Sequence, residues 1–152
     1  VDTSNPTPDR RKLLFLCTGN SCRSQMAEAL GKALLGDQFD FYSAGIVANG
    51  MNPNVEAVMK ELGISMQGHY SKTLEELSDV SFDYVVTVCD HAADHCPAFP
   101  NQVPRYHQPF PDPPKLARED MNEEERLDCY RQVRDQIRRW LQSQLSIQRE
   151  LA

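Results

Sequence analysis

Two short apolar runs set the frame of this chain: Leu13-Leu14-Phe15-Leu16 and Tyr84-Val85-Val86-Thr87-Val88. Apolar residues without polar alternation are the pattern of a strand buried on both faces of a parallel sheet. Each run ends on a cysteine, Cys17 and Cys89. Past Cys17 the period changes: Met26, Leu30, Ala33 and Leu34 recur at helical spacing from Arg23 onward, and Gly36 reads as the stop. Phe39-Asp40-Phe41-Tyr42-Ser43 reads as a second strand, closed by an Ala44-Gly45 turn. Asn52 then caps a helix with Pro53 in its first turn, Val55, Val58, Met59 and Leu62 on its inner face, and Gly63 as its end.

The rest of the pattern agrees. Thr73 with Glu76 has the spacing of a capping box for a short helix through Leu77, and Asn122 with Glu125 has it for a long one. That last helix carries an apolar stripe of Leu127, Tyr130, Val133, Ile137, Trp140, Leu141 and Leu145, with Cys129 on its polar side. Between them lies a long loop rich in Pro, His and Asp, from Asp90 to about Ala117, with an edge strand expected near Val103 to His107. The order of elements predicts an α/β fold: a three-layer sandwich around a short parallel sheet of about four strands, wound by right-handed crossovers. Residues 1–10 read as a flexible leader and 11–152 as a single domain.

Composition narrows the function. Among 152 residues, 22 are acidic and 16 basic, a net charge of −6 that disfavours nucleic acid or an anionic membrane as partner. No apolar run approaches the roughly 20 residues of a membrane span, so the chain reads as cytoplasmic. Its five cysteines then read as reduced thiols available for chemistry rather than a disulfide framework.

The chemistry centres on Cys17. A thiol becomes a nucleophile at neutral pH when cations, dipoles or hydrogen bonds stabilise its thiolate. The stretch Cys17-Thr18-Gly19-Asn20-Ser21-Cys22-Arg23-Ser24 turns from strand to helix, so its backbone amides and the helix N-terminus form a cradle for an oxyanion. Arg23 can close that cradle with a bidentate guanidinium. Cys89 ends a second strand and faces the same crevice if the two strands are parallel neighbours. The expected oxyanion-binding set is therefore Thr18, Gly19, Asn20, Ser21, Cys22, Arg23 and Ser24.

Cys-x5-Arg-Ser after a first strand resembles the low-molecular-weight protein tyrosine phosphatase fold. Together, Cys17 to Glu28, Tyr42-Ser43-Ala44-Gly45, Val86 to Cys96 and Asp112-Pro113 look more closely like the thioredoxin-coupled arsenate reductases built on that fold, over about Lys12 to Trp140. The resemblance implies an enzyme with Cys17, Arg23, Cys89, Cys96 and Asp112 as catalytic residues. Cys17 would attack arsenate, Asp112 would protonate the departing oxygen, Cys89 would release arsenite by forming a Cys17–Cys89 disulfide, and Cys96 would then take over Cys89. The implied partners are arsenate and thioredoxin, with electrons from reduced thioredoxin, no bound cofactor or metal, and a monomeric chain. Asn20 would hold the loop's shape and Ser24 would help stabilise the Cys17 thiolate. Some members of that family bind potassium near the loop through residues matching Asn20, Glu28 and Ser43 plus a carboxylate. Lys72 stands at the carboxylate's position, so its ammonium is expected to replace the cation and pair with Glu28.

Three other readings stay open on the residues alone. A phosphatase acting on phosphotyrosine or another phosphomonoester would use the same cradle and acid and leave Cys89 and Cys96 idle. Cys89, His91, His95 and Cys96 also amount to a Cys2His2 ligand set, although the spacing matches no usual zinc pattern. A non-enzymatic anion-binding or redox-sensing protein would need no acid at Asp112. Cys22 is expected to pack, and Cys129 to be an incidental exposed thiol.

Overall fold

The structure, a computed structural model, describes residues 10–90, 92 and 103–145, with the side chains of residues 144 and 145 outside the description. Four strands form one sheet in the order β2-β1-β3-β4: β1 is Arg11–Cys17, β2 Phe39–Gly45, β3 Tyr84–Thr87 and β4 Arg105–His107. All three pairings are parallel. Both apolar runs of the sequence are thus the two central strands, with Leu14, Phe15 and Leu16 fully buried. The helices are α1 (Arg23–Leu35), α2 (Pro53–Lys60), α3 (Pro113–Leu116) and α4 (Glu123–Trp140), with a 3-10 turn at Leu74–Leu77 between α2 and β3 and a π-helical turn at Leu141–Leu145 after α4.

On one face of the sheet Phe15 stacks on Phe41 at 5.9 Å and meets the edge of Trp140, the last residue of α4, at 6.1 Å. On the other face Tyr42 meets the edge of Phe82 at 5.4 Å. Helix α4 starts at the expected box, where Asn122 Oδ1 accepts from the Glu125 amide at 2.8 Å and Glu125 Oε1 accepts from the Asn122 amide at 3.0 Å. Its buried Arg134 donates to the Val58 carbonyl and to Glu61, both at 2.8 Å. That satisfies the open carbonyl end of α2 and holds the two helices together. Of the leader only Arg10 is described, and it donates to the Gly36 carbonyl at 2.5 Å and pairs with Asp40 at 3.4 Å.

Several local expectations are corrected. Ala33 and Leu34 are exposed, and Leu35 takes the buried position at the end of α1. Gly36 does end the helix, but with right-handed dihedrals; a Cβ there would lie 2.4 Å from the Lys32 carbonyl oxygen. Close packing, not left-handed freedom, is what demands glycine. Ala44 and Gly45 are not a turn: β2 continues through both, and Gly45 pairs with Cys17. The physical reason is that the loop after Cys17 lies on this strand end. A Cβ on Gly45 would come within 2.3 Å of the Val47 carbonyl oxygen and 2.8 Å of the Thr18 carbonyl oxygen and the Asn20 amide. Gly45→Ala is therefore expected to displace the loop and cost about 1–3 kcal/mol of stability, read as a lowered Tm together with weakened anion binding. Cys129 is buried rather than exposed, because Met121 covers it from the loop before α4, with the two sulfurs 3.9 Å apart.

Candidate active site

The loop between β1 and α1 wraps a cavity of about 470 Å³ at the carboxyl ends of the two central strands. This is where ligands bind in open parallel sheets. Cys17, Thr18, Gly19, Ser21, Cys22 and Arg23 line it from the loop, and Cys89 and Asp112 line it from the opposite side. Four of the five expected catalytic residues therefore share one cavity. The fifth, Cys96, lies outside the described residues, as do His91 and His95 of the zinc reading.

Arg23 is poised over the cavity. Its Nη1 donates to the Phe110 carbonyl at 3.1 Å and its Nη2 lies 3.7 Å from Asp112 Oδ1. Its Nε is buried and has no hydrogen-bond partner among the described residues. A buried guanidinium N–H without an acceptor is costly, and an entering oxyanion would supply one. Asp112, whose side chain is 25% exposed, stands close enough to the same guanidinium to reach an anion bound there.

The two thiols that line the cavity are one acid-base unit. Cys17 and Cys89 are both buried free thiols that line one cavity. The interaction with Cys17 holds the Cys89 thiol below its ordinary value, helped by the Thr18 hydroxyl at 3.2 Å and the Ala92 amide at 3.4 Å. The same interaction, with burial, pushes Cys17 up against the pull of Arg23 and the Thr18 amide. The two thiols therefore titrate as a pair, Cys89 ionising before Cys17.

Not every expected oxyanion-binding side chain lines the cavity. Asn20 and Ser24 are fully buried behind the loop. Asn20 takes a left-handed φ of 50°, which asparagine tolerates better than most residues. Its Nδ2 donates to Ser24 Oγ and Ser43 Oγ at 2.9 and 3.0 Å, and its Oδ1 accepts from Gln25 Nε2 and the Lys72 amide, both at 2.9 Å. Four bonds from one side chain lock the loop, and Ser24, accepting from Asn20, keeps its own hydroxyl proton to donate. Cys22 packs as expected: burial pushes its thiol up to about 11, and Asn52 Nδ2 donates to its sulfur at 3.2 Å.

Behind Asn20 sits a buried charge cluster. Lys72 Nζ lies 3.8 Å from Glu28 Oε1, and Glu28 also accepts from Ser43 at 2.5 Å and from Lys32 at 2.6 Å. Burial lowers the Lys72 ammonium's affinity for its proton and Glu28 raises it. The expected Lys72–Glu28 pairing is present. Sequence reasoning missed Asn49, Asp90 and Lys115, which also line the cavity. Only Lys115, three residues beyond Asp112, had a signal, through the acid's own motif.

Residues 12–151 match the profile of the low molecular weight phosphotyrosine protein phosphatase family. The chain belongs to that family. Within it, an arsenate reductase of Halalkalibacterium halodurans is 50% identical over 85% of this chain and 91% of its own length. A solved structure described as an arsenate reductase in the phosphate binding state superposes with a TM-score of 0.74 at 27% identity, covering 90% of this chain and 97% of that one. A thioredoxin-dependent arsenate reductase of Corynebacterium glutamicum superposes with a TM-score of 0.65 at 26% identity, covering 93% of this chain and 65% of that one. No described helix of this family member is long and apolar enough to cross a membrane.

Proposed function

We propose that this protein reduces arsenate to arsenite, with Cys17 as nucleophile, Cys89 and Cys96 as relay thiols and thioredoxin as electron donor. The observation that carries the reading is Cys89, a buried thiol that lines the anion cavity together with Cys17 and is held there by the Thr18 hydroxyl at 3.2 Å. A phosphatase has no use for a second thiol there. The names of the relatives, the acid at Asp112 and the open Arg23 Nε support the same reading.

Cys17 passes its proton to Cys89 and, as thiolate, attacks arsenic held by the loop amides and Arg23; a sulfur–arsenic bond forms, and one arsenate oxygen leaves as water with a proton from Asp112. Cys89 then gives up that proton to the Asp112 carboxylate and attacks the Cys17 sulfur. The disulfide forms as the sulfur–arsenic bond breaks, its electron pair stays on arsenic, and arsenic(V) becomes arsenite while two thiols are oxidised. Cys96 attacks Cys89 by thiol–disulfide exchange and frees Cys17. Thioredoxin reduces the Cys89–Cys96 disulfide.

The test is NADPH consumption with arsenate, thioredoxin and thioredoxin reductase, set against phosphate release from an aryl phosphate. Arsenate-dependent consumption well above the aryl phosphatase rate is expected; phosphate release with no arsenate-dependent consumption would return the protein to the phosphatase reading. Lys72 adds a second expectation. Because its ammonium already faces Glu28, exchanging sodium for potassium is expected to leave both turnover and Tm unchanged, and a specific gain with potassium would count against it.

A further inference from the structure

Val88, the residue after β3, is still held on both sides. Its amide donates to the Leu16 carbonyl at 3.0 Å and its carbonyl accepts from the Phe110 amide at 3.1 Å. The chain then leaves the sheet with Cys89. At the next residue the edge strand takes hold of it again: His107 Nε2 lies 2.7 Å from Asp90 Oδ1, and His107 Nδ1 lies 2.8 Å from Thr87 Oγ1. Thr87 is buried in the sheet, so the imidazole is fixed at one nitrogen by the core and presents the other to Asp90. Asp90 lines the anion cavity together with Cys89.

The hydroxyl of Thr87 makes this bridge work for either form of the histidine. It can donate to Nδ1 of a neutral ring, whose Nε2–H then donates to Asp90. It can equally accept from Nδ1–H of a charged ring while its own proton points to the Tyr106 carbonyl oxygen at 3.4 Å. An isolated exposed ion pair contributes little because two loose side chains must be ordered. Here one partner is already ordered by Thr87, and the other follows directly on Cys89.

We propose that His107 is a positioning residue: by bridging buried Thr87 to Asp90 it fixes the turn that carries Cys89, keeping that sulfur beside Thr18 and Cys17. What Cys89 does there rests on the function proposed above; the bridge does not. Nothing in the family motif of cysteine, arginine and acid requires it.

The test begins without substrate. Reduced protein is labelled with iodoacetamide, and labelling of each cysteine is followed by fragmentation mass spectrometry. Asp90→Ala and His107→Leu are expected to raise the Cys89 labelling rate about three- to fivefold, since a buried thiol reacts through a local opening that the bridge opposes. Cys22 labelling should not change. His107→Gln should restore most of the protection, because its amide can still donate to Asp90. Asp90 is largely exposed, so its variant is expected to fold and decides the question if His107→Leu does not. Unchanged Cys89 labelling in Asp90→Ala, or an equal rise at Cys22, overturns the proposal. A second arm adds one equivalent of arsenate and measures the rate of the Cys17–Cys89 disulfide, which should fall by a similar factor in both variants. Absence of that disulfide in the wild-type protein, with the labelling result intact, would remove the proposed function and leave the bridge standing.

Discussion

Replacing Cys17 by alanine is expected to lower arsenate turnover by on the order of 10⁴-fold or more, because no other group can form the sulfur–arsenic bond and the later steps depend on it. The loop should survive, since Asn20 locks it from behind with four hydrogen bonds that do not involve the sulfur. Phosphate, an inert mimic of the substrate, should therefore still bind within a few-fold of the wild-type Kd, measured by calorimetry. The variant also has a chemical signature away from turnover. Cys89 is held below its ordinary value first by its interaction with Cys17. Removing that partner should move the Cys89 titration upward, so that its pH-dependent alkylation begins at higher pH than in the wild type. Full turnover in Cys17→Ala, or a Cys89 titration that stays in place, would contradict this account of the pair.

Cys89→Ser is the variant that separates the two enzymatic readings. Multiple-turnover arsenate reduction should fall by about 10³-fold or more, since serine cannot take up the Cys17 sulfur as a disulfide. Hydrolysis of an aryl phosphate should not fall, because that reaction needs only Cys17, Arg23 and Asp112. The direction of the pH effect follows from the coupling of the two thiols. Cys17 is pushed up first by its interaction with Cys89; with a neutral hydroxyl in place of the thiolate, Cys17 should ionise at lower pH, and the acid limb of the phosphatase profile should shift down. Undiminished arsenate reduction by Cys89→Ser would remove the relay and with it the reductase assignment.

Much of this molecule could be read from its residues, and the exceptions share a cause. Leu13 to Leu16 and Tyr84 to Val88 were legible as central strands because burial on both faces leaves no polar alternation. Asn122 with Glu125 was legible because capping is local chemistry. Ala44-Gly45 and Cys129 were not, since the first is decided by a loop packing from above and the second by Met121 reaching across from another segment. The site divides in the same way. Cys17 and Arg23 sit in one short motif whose chemistry is evident and Asp112 came through the family resemblance, whereas Asn49, Asp90 and Lys115 reach the cavity from positions whose course depends on the whole fold.

The alignment of β1 with β3, Leu16 opposite Thr87, carries a consequence for the life of the protein in a cell. It is this register, not any nearby sequence, that brings the two reactive thiols together. A one-residue slip would turn one sulfur to the other side of the sheet. A chain that has not completed this strand pair has ordinary cysteines and no enzyme. Activity therefore doubles as a readout of folding: stress that loosens the centre of the sheet should silence the protein before it unfolds outright, leaving thiols no more reactive than those of any unstructured peptide.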